Sequence, residues 1–281
     1  MGWASLDFIV VIAAVLGLLV GSFLNVVVYR LPKMMERQWK AECAEISGNP
    51  QIEEPPFNLM VPRSRCPHCG HQIRWFENVP VISYLLLRGK CSTCKASISA
   101  RYPAVEITTS LLFFWCTSQF GSGGAAWAWC AFSAVLLALA LIDWDTTFLP
   151  DDLTLPLVWL GLIASAMHWT SVDIYASLWG AVAGYLSLWS VYWAFKLVTG
   201  KEGMGYGDFK LFAALGAWFG WQALIPMILI ASVIGAIVGI ALKFSSGLRE
   251  GGYVPFGPFL AGAGFTALFM GPQALRQVIG L

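Results

Sequence analysis

Apolar residues run for about 21 positions from Phe8 to Val28, and after a polar stretch from Arg30 to Arg101 apolar runs return at 103–118, 124–142, 153–169, 173–195, 209–221, 223–242 and 254–271. Unbroken runs close to the roughly 20 residues that carry a helix across a bilayer predict transmembrane helices rather than half-buried strands. The pattern predicts an all-α polytopic membrane protein with about eight transmembrane helices. The first run is longer than the roughly 7–15 residues of a signal-peptide core and lacks a basic start and an Ala-x-Ala exit, so it reads as a retained span. The shortest run, 209–221, must be helped by its flanks, stand less tilted than its neighbours, or stop short of a full crossing.

The polar stretch breaks this rhythm. Its prolines in "NPQIEEPPFN" block regular structure, and it is too short and too polar to build a large core without a staple. The division that follows is a first transmembrane helix at 1–29, a small cytoplasmic insert at 30–102, and a seven-helix membrane core at 103–281. A staple is at hand in "CPHC", with Cys66 and Cys69, and "CSTC", with Cys91 and Cys94. Each pair can grip one ion from a tight turn, and the 21 residues between them let the second pair swing round into a tetrahedral set. Two disulfides are the competing reading, but thiols stay reduced on the cytoplasmic side, which favours zinc. Four thiolates fill the shell, so the site is structural and has no open position for a catalytic water. His68 and His71 read as solvent-facing turn residues, and Cys43, Cys116 and Cys130 as ordinary small residues.

Composition and charge sharpen the placement. Of 281 residues, 58% are hydrophobic and 12% charged, against roughly 25% charged in soluble domains. The net charge of +1 says nothing of nucleic acid by itself, but the basic residues are gathered in one segment rather than spread along a binding face, which argues against a nucleic-acid partner. Arg30, Lys33, Arg37 and Lys40 lie directly after the first span, and basic loops stay cytoplasmic, so both termini are expected on the opposite face. Alternating spans then place Lys196, Lys201, Lys210, Lys243 and Arg249 on the cytoplasmic side as well.

The same topology selects among the aspartates. Asp143 falls at the cytoplasmic end of the third span and Asp208, in "GKEGMGYGDFKLF", at the cytoplasmic start of the sixth. Two carboxyls within hydrogen-bond reach share one proton, so one can accept a proton from water while the other protonates a carbonyl oxygen or a leaving amine. The glycines before Asp208 would let a peptide backbone approach closely. Helix capping or interfacial solvation is the plain alternative for either carboxylate alone. Asp145, Asp151 and Asp152 compete by position, with "LPDDLT" reading as a helix start in which Asp151 or Asp152 is the cap.

The stretches "GSFLNVVVYRLP" at 21–32, the two Cys-x-x-Cys pairs, "LIDWDTTFLPDDLTLP" at 141–156, "KLVTGKEGMGYGDFKL" at 196–211 and "PFGPFLA" at 255–261 resemble, in order and over nearly the whole chain, those of the bacterial prepilin peptidases, also called type IV leader peptidases. The resemblance implies a Gly-x-Gly-Asp membrane aspartic endopeptidase with Asp143 and Asp208 as its catalytic pair. It would cut the basic leader of prepilins and type II secretion pseudopilins after a glycine, at the cytoplasmic face of the inner membrane. It also implies N-methylation of the new terminus with S-adenosylmethionine as donor. No Gly-x-Gly-x-x-Gly follows a strand, so no residue is assigned to that donor, and the first loop with its leading "GSFLNVVVYRLP" is the place to look. Read from the residues alone, an ion-coupled transporter also accounts for Asp143 and Asp208, but leaves the glycines and the cysteine-bearing insert without a role.

Overall fold

The computed structural model describes residues 3–48, 55–244 and 254–278. Among them the regular structure is helical, with two isolated β-bridges, Arg65 to Gln72 and Lys90 to Ser97, in place of strands. Each of the eight apolar runs folds as a helix: α1 (Trp3–Ile46), α3 (Arg101–Phe120), α4 (Gly124–Thr146), α5 (Asp151–Ala166), α6 (Ile174–Thr199), α7 (Tyr206–Phe219), α8 (Leu224–Phe244) and α9 (Gly257–Met270). Two short α-helices, α2 (Ile82–Leu86) and α10 (Pro272–Val278), and two 3-10 turns, Trp75–Asn78 and Trp221–Ala223, accompany them. Among the described residues four segments, not the eight expected, are long and apolar enough by themselves to cross a membrane: Phe8–Ile46, Gly124–Thr146, Ile174–Thr199 and Trp221–Phe244.

The chain forms two compact units, Met1–Ser122 and Gly123–Leu281. In the first, α1 packs along α3. Gly17 and Gly21, one turn apart on α1, make this possible: a Cβ on Gly17 would lie 2.7 Å from Ser110 Cα, and one on Gly21 2.6 Å from Glu106 Cα. Such small-residue stripes let helix backbones approach where no hydrophobic drive joins them. Ser110 Oγ donates across the contact to the Ala14 carbonyl at 2.8 Å, and Asn25 Nδ2 to that of Tyr102 at 3.1 Å.

The sequence pattern ends the first span at Val28, yet α1 continues unbroken to Ile46. Lys, Met, Glu, Arg and Gln favour a helix there, Lys40 pairs with Glu36 at 2.6 Å, and Gln38 with Glu42 at 2.9 Å. Pro32 is carried inside it at the cost of one backbone hydrogen bond. At 44 residues α1 is about 66 Å long, about twice the roughly 30 Å hydrocarbon core.

The second unit is organised around its shortest apolar helix. In α7 every residue from Leu211 to Phe219 is buried, because α5, α6, α8 and α9 surround it. A helix apolar all round belongs in a core. Gly180 and Gly184 of α6 face Gly216 and Phe212 of α7 so closely that the backbones touch. Ser177 Oγ donates to Ala217 O at 2.6 Å and Trp218 Nε1 to Leu157 O at 2.9 Å, while Trp129, Phe132, Trp218 and Phe219 pack ring on ring.

Candidate active site and metal centre

Three helix ends meet around Asp143 and Asp208 in the second unit. Asp143 lies one turn before the end of α4, where the left-handed Thr147 (φ 57°) closes the helix on the Asp143 carbonyl. Asp208 lies in the first turn of α7, and Gly257 opens α9. Leu149, itself buried, is the wedge between the last two: a Cβ on Gly207 would sit 2.6 Å from Leu149 Cβ, and one on Gly257 3.2 Å from Leu149 Cδ1.

Both carboxylates are buried, at 4% and 7% exposure, and the negative charge of Asp143 is close enough to act on Asp208. The Gly257 N–H donates to Asp143 Oδ2 at 2.9 Å, and the Gly205 N–H to Asp208 Oδ2 at 3.3 Å. Each carboxylate thus leans on a glycine N–H at a helix N-terminus, the favourable place for negative charge. Asp208 Oδ1 is buried with no hydrogen-bond partner among the described residues. Buried polar atoms are rarely left so, and the Asp143 charge acts on the same carboxylate.

The rival aspartates are placed elsewhere. Asp151 holds Lys210 Nζ through both oxygens at 2.6 Å, tying α5 to α7. Neither Asp151 nor Asp152 caps α5, contrary to the sequence reading: Pro150 is the N-cap and both acids sit in the first turn, where they favour the helix dipole instead. The glycines of "GKEGMGYGD" also divide differently from expectation. Gly203 packs on the Phe195 ring and Gly207 on Leu149, so these two serve packing, while a Cβ on Gly205 would reach only Asp208 Oδ2, at 3.7 Å. Gly257, within "PFGPFLA", has no role in the sequence reading. Its signal in the sequence is a glycine directly before Pro258, at a helix start.

The four cysteines gather in the first unit. Their Sγ atoms all lie within 4.8 Å of one another, with Cys66 and Cys94 at 3.7 Å. A tetrahedral zinc with Zn–S near 2.3 Å requires sulfurs about 3.8 Å apart, so the set fits a zinc site. Two matching turns build it. In the first, Cys66 N–H bonds to His71 O at 2.9 Å and Gly70 N–H to Cys66 O at 2.9 Å; in the second, Cys91 N–H bonds to Ala96 O at 2.8 Å and Lys95 N–H to Cys91 O at 3.1 Å. Gly70 and Lys95 hold the same left-handed position, at φ 70° and 60°.

The sulfurs share backbone donors unequally. The N–H groups of Cys94 and Thr93 pull the Cys91 thiol down to about 6. At Cys69 the His71 N–H also pulls down, but desolvation and the thiols of Cys94, Cys66 and Cys91 outweigh it and push the thiol up to about 11. Glu77 clamps both turns: the Ser92 hydroxyl, the Arg74 N–H at 2.9 Å and His71 Nε2 at 3.1 Å hold its carboxyl down at about 2. His71 is therefore a bound part of the cluster's surroundings, not the solvent-facing turn residue expected. Cys116 and Cys130 are buried in helices and Cys43 is exposed.

A buried pair of acids at converging helix ends, in an all-helical chain with a four-cysteine cluster, defines a helical protein equipped for acid–base chemistry. Two family models divide the chain nearly as its packing does: the bacterial peptidase A24 N-terminal domain over residues 15–120, and the type IV leader peptidase family over 130–240. Three prepilin leader peptidase/N-methyltransferases are similar along their length. That of Pseudomonas aeruginosa is 55% identical over 94% of this chain and 91% of its own, that of Stutzerimonas stutzeri 55% over 94% and 91%, and that of Aeromonas hydrophila 51% over 92% and 90%. The chain belongs to the type IV leader peptidase family. No solved structure matches it.

Proposed function

We propose that this protein cleaves the leader of type IV prepilins and type II secretion pseudopilins after glycine, and N-methylates the residue so exposed. The single observation that carries the peptidase reading is the burial of Asp143 and Asp208 within electrostatic reach of each other, each on its own glycine N–H. One acid is ionised and takes a proton from water as the water adds to the scissile carbonyl. The other is protonated and gives its proton to the carbonyl oxygen, and the amine then leaves with the first proton. Burial keeps bulk water from dissipating this arrangement.

The ion in the cysteine cluster is zinc, held by Cys66, Cys69, Cys91 and Cys94, and its role is to fold the insert. S-Adenosylmethionine supplies the methyl group. All eight long helices lie in the inner membrane, with the insert and the aspartates toward the cytoplasm. Outward apolar side chains one turn apart support that placement: Leu155, Trp159 and Ile163 on α5, and Ile225, Leu229 and Val233 on α8. The basic residues beside the end of the first apolar run, and Lys210 beside Asp208, support the orientation. α7, 14 residues and about 21 Å long, fits within the bilayer because its neighbours, rather than lipid, cover it. Purified protein given a prepilin peptide and labelled S-adenosylmethionine tests both activities: a cut after glycine followed by label on the new terminus supports the proposal, and ion transport without cleavage refutes it. The relatives named above carry the peptidase and methyltransferase name, which does not support the transporter reading.

A further inference from the structure

The short helix α2 carries an apolar stripe that its own unit leaves exposed. Ile82, Leu85 and Leu86, at i, i+3 and i+4, share one face, with Leu85 and Leu86 exposed at 66% and 78%. The opposite side anchors the helix: Ser83 is buried, and its Oγ donates to the Phe76 carbonyl at 2.7 Å and accepts the Val79 N–H at 3.0 Å. That hydroxyl ties α2 to the 3-10 turn Trp75–Asn78, which brings Trp75, 83% exposed, and Phe76 into the outward apolar set. So many large apolar groups on so short a segment mark an interaction surface rather than scattered exposure.

The surroundings are cationic. From 55 to 100 the basic side chains are Arg63, Arg65, Arg74, Arg88, Lys90 and Lys95, all exposed, and the acid is Glu77, already engaged with both cysteine turns. A zinc with four thiolates adds two net negative charges and leaves the excess positive. Arg74 directly precedes Trp75, and Arg88 follows Leu86 by two residues, so positive charge flanks the apolar set at both ends.

The depth of this face is set by α3. The N–H of Val81, the residue before α2, donates to Glu106 Oε2 at 2.8 Å, and Glu106 lies three residues into the apolar run at 103–118. A helical side chain leans toward its own N-terminus, so Val81 stands level with the start of that run. The backbone of Glu106 packs in turn on Gly21, inside the first apolar run rather than past its end at Val28. α2 is thus held beside the spans where acyl chains give way to headgroups, not in the water beyond them.

We propose that Trp75, Phe76, Ile82, Leu85 and Leu86 seat the insert in the interfacial layer of the cytoplasmic leaflet, with Arg74 and Arg88 on the headgroups of anionic phospholipids. This rests on the membrane placement proposed above. Tryptophan favours that layer, and an apolar face with a basic rim binds it through buried apolar area and attraction to anionic lipid together. Glu77 follows Phe76 in the same turn, so lipid that holds Trp75 and Phe76 also steadies the carboxylate that clamps the cysteine turns.

Photolabelling of the full-length, zinc-loaded protein in vesicles tests this. The probe is a phospholipid with a diazirine high on its acyl chain, diluted into phosphatidylcholine alone or into phosphatidylcholine with phosphatidylglycerol, and labelled peptides are mapped by mass spectrometry. Label is expected across 75–86, with a several-fold gain where phosphatidylglycerol is present. Arg74→Gln and Arg88→Gln should each remove most of that gain, since one basic side chain near an anionic surface is worth about 5-fold. Leu86→Asn, with wild-type zinc content and melting temperature, should lose label in both lipids. Label on the outward Ile107 and Leu111 of α3 with none at 75–86 overturns this inference alone, and a chain without label at either overturns the membrane placement with it. Equal labelling of 75–86 in the two lipids overturns the assignment to anionic lipid. Cross-linking of two chains through 75–86 in place of lipid label gives the face to a second copy and overturns the proposal.

Discussion

Asp143 Oδ2 accepts from Gly257, and a methyl group at that glycine would stand 2.6 Å from the same oxygen. Gly257→Ala must therefore turn the carboxylate aside. Kinetics of prepilin-peptide cleavage should show kcat/KM down by about 100-fold, as for an ångström-scale misplacement of a reacting group, with little change in melting temperature. Glu77 offers a parallel case in the first unit. Because outer hydrogen bonds fix the geometry of a metal's ligands, Glu77→Ala should weaken zinc retention by about 10–100-fold in chelator competition. Its carboxyl is held below the ordinary value, so its contribution is complete above about pH 4.3 and is lost as pH falls through about 2. The cysteine spacing was legible because four equal ligands in two pairs admit few other uses. Gly257 was not: 114 residues separate it from Asp143, and nothing local to either announces the contact.

At the scale of elements, hydropathy located all eight long helices, but missed what two of them do. It ended the first span at Val28, because it registers the onset of charge rather than helical continuity, and α1 runs on to Ile46. It marks 209–221 as the shortest run, in need of help to cross, whereas α7 is the helix the second unit is built around. Length measures fitness to face lipid, and a helix covered by protein escapes that requirement. The glycine pairs 17/21 and 180/184 mark where α1 meets α3 and α6 meets α7, and their four-residue spacing was visible in the chain. Gly180→Leu would force α6 off Gly216. Thermal unfolding in detergent should report a loss of about 1–3 kcal/mol, the usual cost of overpacking, with cleavage falling alongside it because Asp208 opens the displaced helix.

For the whole molecule, the division at Ser122/Gly123 assigns the cysteine cluster to one unit and the acid pair to the other. Removing the metal should then loosen the first unit before the second, a separation measurable by hydrogen exchange during slow chelation; parallel loosening would show that the second unit also depends on the metal-held insert. The central claim is that Asp143 and Asp208 together perform the cut. Single-turnover cleavage of a prepilin peptide by Asp143→Asn and Asp208→Asn, each checked for wild-type zinc content and melting temperature, tests it most directly. The predicted result is a fall of at least about 100-fold in each variant, as expected for losing a general acid or base. Wild-type cleavage by either one would contradict it.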